Sequence, residues 1–372
     1  MITIPAISSD SARQFMREAA RDAGIPENQM RLVLEPEAAA LYCQQKTVVD
    51  DNRLPVGFKY VLADLGGGTS DICVHEVMED GKLREVYRAT GEIAGGTDVD
   101  DEFLSFLKEL VDEKKKQSLP AKIKESKYAD KMEYLPIEAR LNIHCDLMKL
   151  FFKPSIDSIV NLVNEILKEC AGDIDTLLLV GGYSESSYLM DRIKSEFSNM
   201  TVVLVEDARL AVLNGAVMMG WKPKNIIQRR SRFTYGFAVN EPFIEGKHPE
   251  SRKCIVDGQA WCYLLFKKMI EKGQIVEYGQ TFRFKGYNTA REPEEKHEER
   301  YTLLWRSTRE NPQYCIEEGC SMVGEIVKKP PPEGWPDYWR SDTHLIVGET
   351  EFTVKDFNHT TGQEYKAQMN FL

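Results

Sequence analysis

The sequence Asp64-Leu65-Gly66-Gly67-Gly68-Thr69-Ser70-Asp71 joins the end of an apolar segment to three glycines, a hydroxyl group and two carboxylates. The preceding Tyr60-Val61-Leu62-Ala63 is typical of a core strand and residues 72–77 resume strand character, which predicts a tight turn between two strands. Because glycine has no Cβ, its backbone N–H can approach phosphate oxygens closely. Asp64 and Asp71 are predicted oxygen ligands, through water, of a Mg²⁺ ion that neutralises the phosphates. Taken alone, the motif could also be an ordinary glycine-rich hairpin loop.

The composition is that of an ordinary globular chain. It has 372 residues, of which 42% are hydrophobic and 29% charged, enough for two or three domains. The formal net charge of -11 argues against nucleic acid or an anionic membrane surface as a partner. No apolar run approaches the ~20 residues of a membrane span and no signal-peptide pattern opens the sequence, so we expect a cytoplasmic protein. The eight cysteines include no CxxC pair, which favours buried free thiols; Cys315 and Cys320 are the closest pair.

Alternating strand and helix patterns over the first part of the chain indicate an α/β layered fold. The β-branched residues 1–4 precede a helix that Ser9 or Asp10 can cap and that Gly24 ends. Its apolar residues at helical spacing are Phe15, Met16, Ala19, Ala20 and Ala23. Further strands are predicted at residues 31–34, 83–89, 176–180 and 202–205. Further helices are predicted at residues 36–42, 99–116, 138–151, 155–171, 186–197 and 208–219. The lysine-rich residues 113–134 are expected to be an exposed, solvated helical extension or loop.

The character of the sequence changes near residues 220–225. From Ile226 onward the chain is strand-like, with frequent turn residues, polar excursions and the proline cluster at residues 330–332. We therefore predict two domains, residues 1–222 and residues 223–372, of which the second is β-rich. The aromatic residues expected in its core are Trp305, Trp335, Tyr338 and Trp339.

Two more glycine turns strengthen the interpretation of the first. Gly181-Gly182 follows the apolar segment at residues 176–180, and Gly95-Gly96-Thr97 precedes a predicted helix. In an α/β fold, ligands bind outside the carboxyl ends of the strands. A Gly-Gly turn before a helix presents free N–H groups to an anion or a ribose. The repetition therefore favours a nucleotide site over an ordinary loop.

Five segments resemble, in the same order, motifs of the actin-like ATPase superfamily and, within it, of the seventy-kilodalton heat-shock chaperones. Residues 3–6 with residues 10–13 are similar to that family's VPAYF-NDSQR segment, and residues 35–40 to NEPTAAA. The other three resemblances are residues 64–71 to DLGGGTFD, residues 95–98 to the LGGxD turn and residues 179–182 to LVGG. Residues 213–220, 233–236 and 257–262 resemble the divergent branch of heat shock 70 kDa protein 12.

The resemblance implies an actin-like nucleotide-binding domain over residues 1–222, made of the end of lobe I plus lobe II, shortened at residues 103–151, and followed by a region similar to a divergent substrate-binding domain. ATP or ADP with Mg²⁺ is the implied cofactor. The implied nucleotide contacts are Gly66, Gly67, Gly68 and Thr69 at the phosphates, Gly95, Gly96 and Thr97 along the cleft, and Gly181, Gly182, Tyr183 and Ser184 beside the adenosine. The implied catalytic carboxylates are Glu35, Asp64 and Asp71, with Asp64 holding the Mg²⁺ shell. Pro5 and Arg13 resemble the pair that couples nucleotide state to substrate release; for Pro5 a strand-terminating proline is the alternative.

The sequence also departs from the family pattern. No DxGTT-type phosphate loop and no lysine for the γ-phosphate precede the first motif, from which we expect the N-terminal part of lobe I to be missing, as in a fragment. No segment between Phe103 and Phe151 matches the E-x-x-K-R helix that clamps adenine, and residues 138–140 are a poor candidate. Tyr183 stands where serine is usual, and Glu185-Ser186 replaces a threonine-arginine pair, so an arginine that stacks on adenine is absent. Since each preorganised contact contributes about 10² to 10³ in rate, hydrolysis is expected to be slow or absent.

The expected function is therefore an ATP-binding, chaperone-like protein of the stress-response type, at most a slow ATPase, with client or signalling partners at its C-terminal region. The alternative is a non-enzymatic interaction protein that keeps the actin-like lobe as a scaffold. A sugar or acetate kinase of the same superfamily is disfavoured, because the C-terminal region is strand-rich.

Overall fold

The computed structural model describes residues 1–26, 29–46, 48–49, 52–111, 118–170, 174–221, 226–256, 258–348 and 351–370. The chain divides into two compact units, Met1–Asn225 and Ile226–Leu372. The predicted boundary extends into residues 222–225, which lie outside the described residues, and the functional assignment of the two domains remains a prediction. No helix in the described ranges is both long and apolar enough to cross a membrane.

The first unit alternates strands and helices, as the sequence pattern predicts. Its helices are α1 (Asp10–Asp22), α2 (Glu35–Lys46), α3 (Gly96–Val111), α4 (Leu119–Glu125), α5 (Cys145–Glu169), α6 (Ser187–Glu196) and α7 (Ala211–Trp221). Its strands are β1 (Ile2–Ile4), β2 (Leu32–Leu34), β3 (Val48–Val49), β4 (Asn52–Arg53), β5 (Lys59–Leu65), β6 (Ser70–Val77), β7 (Leu83–Glu92), β8 (Met132–Leu135), β9 (Arg140–Ile143), β10 (Thr176–Val180) and β11 (Thr201–Leu204). Ser9 caps α1 by accepting a hydrogen bond from the Ala12 N–H, whereas Phe15 on the same helix is exposed.

The main sheet of this unit has the strand order β11-β10-β5-β6-β7. Strands β5, β6 and β7 are antiparallel neighbours, while β10 runs parallel to both β5 and β11. The carboxyl ends of β5 and β10 therefore meet at one edge of the sheet, with Asp64 beside Val180. This mixed α/β sheet confirms the predicted fold class of an actin-like lobe.

Helices cover both faces of this sheet because the central strands are apolar throughout. On one face Val61, Ala63 and Val74 pack with α5 and α6 in the largest buried cluster. On the other face the Tyr60 hydroxyl donates to the Ala40 carbonyl of α2 at 3.5 Å. Helix α7 then packs on α2 so closely that a Cβ at Gly215 would lie 1.7 Å from the Ala38 carbonyl oxygen.

The two helices predicted at residues 138–151 and 155–171 are one helix, α5, which continues through Pro154. Proline removes one backbone hydrogen bond, but buried apolar side chains on both sides of it anchor the helix in the core. Leu147 and Phe151 precede the proline and are buried, and Ile156 and Ile159 follow it and are buried. Packing therefore outweighs the local preference of proline. Residues 138–143 form a turn and strand β9 instead, and Ala171 lies outside the described residues.

The prediction of a solvated charge run at residues 113–134 is wrong for the part that the structure describes. Residues 113–117 lie outside it, but α4 and β8 are folded and contribute the buried Ile123 and Met132. Both pack with Phe106 and Leu110 of α3 in a small separate core. The lysines conceal this pattern in the sequence, because the apolar residues between them are widely spaced.

The second unit is β-rich. Its strands are β12 (Ile226–Arg230), β13 (Thr234–Pro242), β14 (Lys253–Val256), β15 (Gln259–Ile270), β16 (Ile275–Glu277), β17 (Thr281–Thr289), β18 (Arg300–Ser307), β19 (Cys320–Lys328), β20 (Tyr338–Val347), β21 (Glu351–Asn358) and β22 (Glu364–Asn370). A five-stranded sheet, β14-β15-β13-β18-β19, and a four-stranded sheet, β17-β20-β21-β22, share one core that contains Tyr235, Phe237 and Phe352. The segment at residues 257–262 begins with Asp257, which lies outside the described residues.

Of the four aromatic residues expected in this core, Trp335 and Trp339 are fully buried, with stacked rings 5.0 Å apart. Trp305 is half-buried. Tyr338 is exposed, contrary to the prediction, because it neighbours Trp339 on a strand and so points to the opposite face. All eight cysteines are free thiols, including Cys315 and Cys320, but Cys145 and Cys254 are exposed, whereas the sequence favours buried thiols.

Candidate nucleotide site

The hairpin loop at residues 66–69 connects β5 to β6 at the ligand-facing edge of the sheet. The Gly66 N–H donates to the Thr69 carbonyl at 2.9 Å, which closes the loop. Gly67 and Gly68 are exposed, and among the described residues their N–H groups have no hydrogen-bond partner. A Cβ at Gly68 would meet nothing within 4 Å, so space for a ligand lies directly outside the loop. Free N–H groups in a glycine turn are suited to bind an anion.

The turn at Gly95, Gly96 and Thr97 does not present the free N–H groups that the sequence predicts. Its N–H groups are not free: Gly96 donates to the Gly66 carbonyl at 3.2 Å and Thr97 to the Gly67 carbonyl at 2.8 Å. The Gly95 N–H donates to the Asp98 carboxylate at 2.9 Å, and the Thr97 hydroxyl also donates to Gly67. The N-terminal residues of α3 therefore hold the hairpin loop in place by hydrogen bonds to its carbonyl groups. A role of these residues in nucleotide binding stays a prediction.

The turn at residues 181–184 is also largely satisfied within the chain. Gly181 has φ +85° and donates its N–H to the Ala208 carbonyl at 3.0 Å. The buried Ser184 hydroxyl donates to the Gly181 carbonyl at 2.6 Å. The Tyr183 hydroxyl lies 2.7 Å from the Ser155 hydroxyl of α5, and the Tyr183 ring is buried. The side chains of Tyr183 and Ser184 thus point into the protein, while Gly182 is exposed.

Three carboxylates belong to this edge of the sheet. Glu35 directly follows β2, Asp64 lies near the end of β5, and Asp71 lies opposite Asp64 in the register of β5 and β6. Burial, and then the charges of Glu35 and Asp71, raise the pKa of Asp64 to about 7. Burial, and then the charge of Asp71, raise the pKa of Glu35. Buried carboxylates that repel one another favour a bound cation.

Asp71 is held by the chain itself. Its Oδ1 accepts the Ala6 N–H at 2.8 Å and its Oδ2 accepts the Thr69 hydroxyl at 3.0 Å. Burial raises the pKa of Asp71, although hydrogen bonds from Ala6, Thr69 and Ile7 act in the opposite direction. Asp71 therefore ties the hairpin loop to the segment after β1.

The segment after β1 leads to Pro5 and Arg13. The Ser8 N–H donates to the Pro5 carbonyl at 3.1 Å, and the Nε of the buried Arg13 donates to the Ser8 carbonyl at 3.2 Å. A continuous series of hydrogen bonds thus runs from Thr69 through Asp71 to the turn that Arg13 contacts. The coupling role of Pro5 and Arg13 remains a prediction.

The sequence interpretation missed Gly91 and Ser155. A Cβ at Gly91 would lie 2.5 Å from Asp71 Oδ1, so this glycine makes room for the carboxylate. A single glycine inside the strand pattern of β7 is a signal that could have identified it. Ser155, the partner of Tyr183, follows Pro154 in the middle of a helix and carries no such signal.

The residues present fit a Mg²⁺ ion. Hard oxygen donors are its usual ligands in proteins, and it retains several waters. Asp64 and Glu35 would hold the ion or its waters, whereas the oxygens of Asp71 already accept hydrogen bonds from the chain. The ion would supply positive charge to the phosphates next to the exposed N–H groups of the hairpin loop.

Comparison with known proteins agrees with this architecture. The family model described as Hsp70 protein matches residues 1–140. Heat shock 70 kDa protein 12A from Mus musculus is 26% identical over 480 aligned residues, covering 100% of this chain and 70% of the relative. Heat shock 70 kDa protein 12B from Homo sapiens is 24% identical, with the same coverage.

A more distant similarity extends to bacterial chaperones. Chaperone protein DnaK from Burkholderia cenocepacia (strain HI2424) is 28% identical over 229 residues, which cover 53% of this chain and 34% of that protein. The heat shock 70 kDa protein 12 relatives, by contrast, match the whole chain, β-rich unit included. Residues 1–140 thus match the Hsp70 family model, and the whole chain is similar to the divergent branch of heat shock 70 kDa protein 12.

Proposed function

We propose that this protein binds Mg²⁺ and ATP or ADP at the edge of the sheet where β5 and β10 end. The observation that carries the proposal is the combination of exposed, unpartnered N–H groups at Gly67 and Gly68 with the buried carboxylate of Asp64 on the adjoining strand. A phosphate chain satisfies the N–H groups, and the metal satisfies the carboxylates.

Hydrolysis at this site is slow or absent. The pKa of Asp64 is shifted by burial and by the carboxylates of Glu35 and Asp71. Among the described residues, no lysine or arginine contributes to this shift. Phosphoryl transfer depends on positive charge around the transferred group, and the proposed metal would provide such charge. The proposed activity is therefore nucleotide-dependent binding with at most slow ATPase turnover.

The nucleotide signal reaches client or signalling proteins in a chaperone-like manner. Thr69 lies in the hairpin loop and donates to Asp71, whose carboxylate holds the Ala6 N–H. A ligand that engages the Thr69 hydroxyl therefore competes with its hydrogen bond to Asp71, the carboxylate that also accepts the Ala6 N–H next to Pro5. The β-rich unit is the proposed partner-binding region.

Isothermal titration calorimetry of the wild-type chain with ATP, in the presence and absence of Mg²⁺, tests the proposal. The expected result is Mg²⁺-dependent binding that Asp64→Ala or Gly67→Val abolishes. Gly67→Val is accommodated by the fold, because a Cβ there has its nearest neighbour, Thr97 Cγ2, at 3.9 Å. Asp191→Ala, which removes an exposed carboxylate of α6, is the control and retains binding.

Equal ATP affinity in the wild type and in both site variants would contradict the proposal. Absence of any heat of binding and of any Mg²⁺-dependent change in melting temperature would favour the alternative, a non-enzymatic interaction protein. A phosphate-release assay on the same samples measures the turnover, which we expect to be slow.

A further inference from the structure

We propose that the site recognises the Mg²⁺-triphosphate group of a nucleotide and does not select its base. The inference rests on the proposed function and concerns the two glycine turns that flank the hairpin loop at residues 66–69. A nucleotide with its phosphates on that loop extends its base toward one of these turns, because both lie beside the loop at the same edge of the sheet.

The turn at residues 181–184 offers few polar groups to a base. The only proton of the Ser155 hydroxyl goes to the Phe152 carbonyl at 3.1 Å, so Tyr183 is the donor in the 2.7 Å hydrogen bond to Ser155. Ser184 is fully buried, and its hydroxyl donates to the Gly181 carbonyl. The N–H of Gly181 donates in turn to the Ala208 carbonyl. The two hydroxyl donors of this turn and the Gly181 N–H are thus already used, which leaves the exposed backbone of Gly182.

The ring of Tyr183 also fills the space between this turn and α3. A Cβ placed on Gly96 would lie 3.6 Å from the ring, and the Phe152 ring stacks on it with centroids 6.2 Å apart. Only 8% of Tyr183 is exposed. Glu185, which follows the turn, is exposed and lies 3.9 Å from Arg209, which is exposed as well.

The turn at Gly95, Gly96 and Thr97 is closed in the same way. Its N–H groups and the Thr97 hydroxyl are bonded to Gly66, Gly67 and Asp98. The hairpin loop exposes the N–H groups of Gly67 and Gly68 without a partner among the described residues, and these groups suit phosphate oxygens. Binding energy therefore comes from the charged end of the ligand, which is common to all nucleoside triphosphates.

Calorimetric titration of the intact chain with ATP, GTP, CTP, UTP and inorganic tripolyphosphate, each with Mg²⁺, tests the inference. Sites that hydrogen-bond a distinguishing group reject ligands without it by about 10⁴-fold or more, whereas sites without such bonds discriminate by about 10-fold to 200-fold. We expect the four nucleotides to bind within about 10-fold of one another and tripolyphosphate to compete with ATP. ATP binding that is more than about 200-fold tighter than CTP binding would overturn the inference and leave the proposed function intact. Absence of binding by every triphosphate would overturn both.

Variants of Tyr183 isolate the cause. Tyr183→Ser empties the space that the ring fills, so we expect purine and pyrimidine affinities to separate, by about 10-fold. Tyr183→Phe keeps the ring, and its ratio of affinities should equal that of the wild type. Tripolyphosphate binding by each variant verifies that its phosphate loop is folded. An unchanged ratio in Tyr183→Ser with tripolyphosphate binding retained would overturn the role assigned to Tyr183.

Discussion

The hairpin loop at residues 66–69 and the turn at residues 181–184 are both rich in glycine and follow strands that lie side by side, yet they use glycine in opposite ways. In the hairpin loop, Gly67 and Gly68 expose their backbone, and a Cβ at Gly68 would enter open space. In the second turn, Gly181 allows close packing, because a Cβ there would lie 2.4 Å from the Leu65 carbonyl oxygen. Glycine thus leaves the backbone accessible to a ligand in the hairpin loop, whereas in the second turn it permits close packing within the protein.

Alanine at Gly181 should have the largest effect of the changes that test this comparison. Gly181 combines φ +85° with contacts to the Leu65 carbonyl and to Asp64 Oδ1, and neither the backbone conformation nor the space admits a Cβ. We expect Gly181→Ala to lower the free energy of unfolding by about 4 kcal/mol, measured by urea denaturation.

Two other glycines are matched controls. Cβ atoms at Gly68 and at Gly182 would meet nothing within 4 Å, and neither residue has positive φ. Gly68→Ala and Gly182→Ala should change stability by no more than about 0.5 kcal/mol. If all three variants were equally stable, the second turn would not be closely packed against β5, and the contrast between the turns would disappear.

The pH dependence of stability should be the next largest effect. Asp64 has a pKa of about 7 in the folded chain against an ordinary value of 3.8. Because the pKa of Asp64 is raised in the folded chain, its protonated side chain contributes to stability below about pH 4. This contribution is lost as the pH rises through about 7. Relative to Asp64→Asn, which stays neutral, the wild type without Mg²⁺ should therefore lose about 3 kcal/mol between about pH 5 and pH 8.

Urea denaturation of both proteins across this pH range measures the difference, and Mg²⁺ with ATP should reduce it, because the metal stabilises the charged carboxylate. Parallel stability profiles for the wild type and Asp64→Asn would mean that Asp64 is ionised without cost. The carboxylate would then need no metal, and the hairpin loop would differ from the second turn only in its exposed N–H groups.

The sequence predicts the parts of this site that local pattern determines. The segment from Tyr60 to Val77 combines two apolar stretches and a glycine turn, and both strands and the turn form where the pattern predicts them. Asp64 and Asp71 end up opposite one another because a short hairpin fixes the register. These features depend on neighbours within about 15 residues of one another.

What the sequence does not predict depends on partners that are distant along the chain. The N–H of Thr97 is used by Gly67, that of Gly181 by Ala208, and the hydroxyl of Tyr183 by Ser155. A glycine turn before a helix has the same local pattern whether its N–H groups are free or bonded. The prediction of free N–H groups therefore holds for the hairpin loop and is wrong for the turn at residues 95–97.

Asp71→Ala should have a smaller effect than the Asp64 titration. It leaves the Ala6 N–H without its acceptor and the Thr69 hydroxyl without its partner. A buried donor that loses its acceptor costs about 1–3 kcal/mol, and removal of a buried charge offsets part of this, so we expect a loss of about 2 kcal/mol. Hydrogen exchange at the Ala6 amide should accelerate in the same variant.

Thr69→Val tests the Thr69–Asp71 hydrogen bond separately from the Ala6–Asp71 hydrogen bond. It removes the hydroxyl that donates to Asp71 but keeps the Ala6 hydrogen bond, so the Ala6 amide should stay protected. Equal exchange of Ala6 in the wild type and in Asp71→Ala would mean that the hairpin loop is not tied to the segment after β1. The loop would then differ from the second turn only in its exposure.

Tyr183→Phe should have the smallest effect, because it deletes one hydrogen bond and keeps the ring. The Tyr183 hydroxyl donates to Ser155, whose own proton goes to the Phe152 carbonyl, so the loss should be about 1 kcal/mol. Tyr338→Phe, at an exposed tyrosine, should change stability by less than about 0.5 kcal/mol. A double-mutant cycle with Ser155→Ala measures the coupling directly, and we expect about 1 kcal/mol. A coupling energy of zero would mean that Tyr183 is held by its ring contacts alone, so that packing, and not this hydrogen bond, closes the second turn.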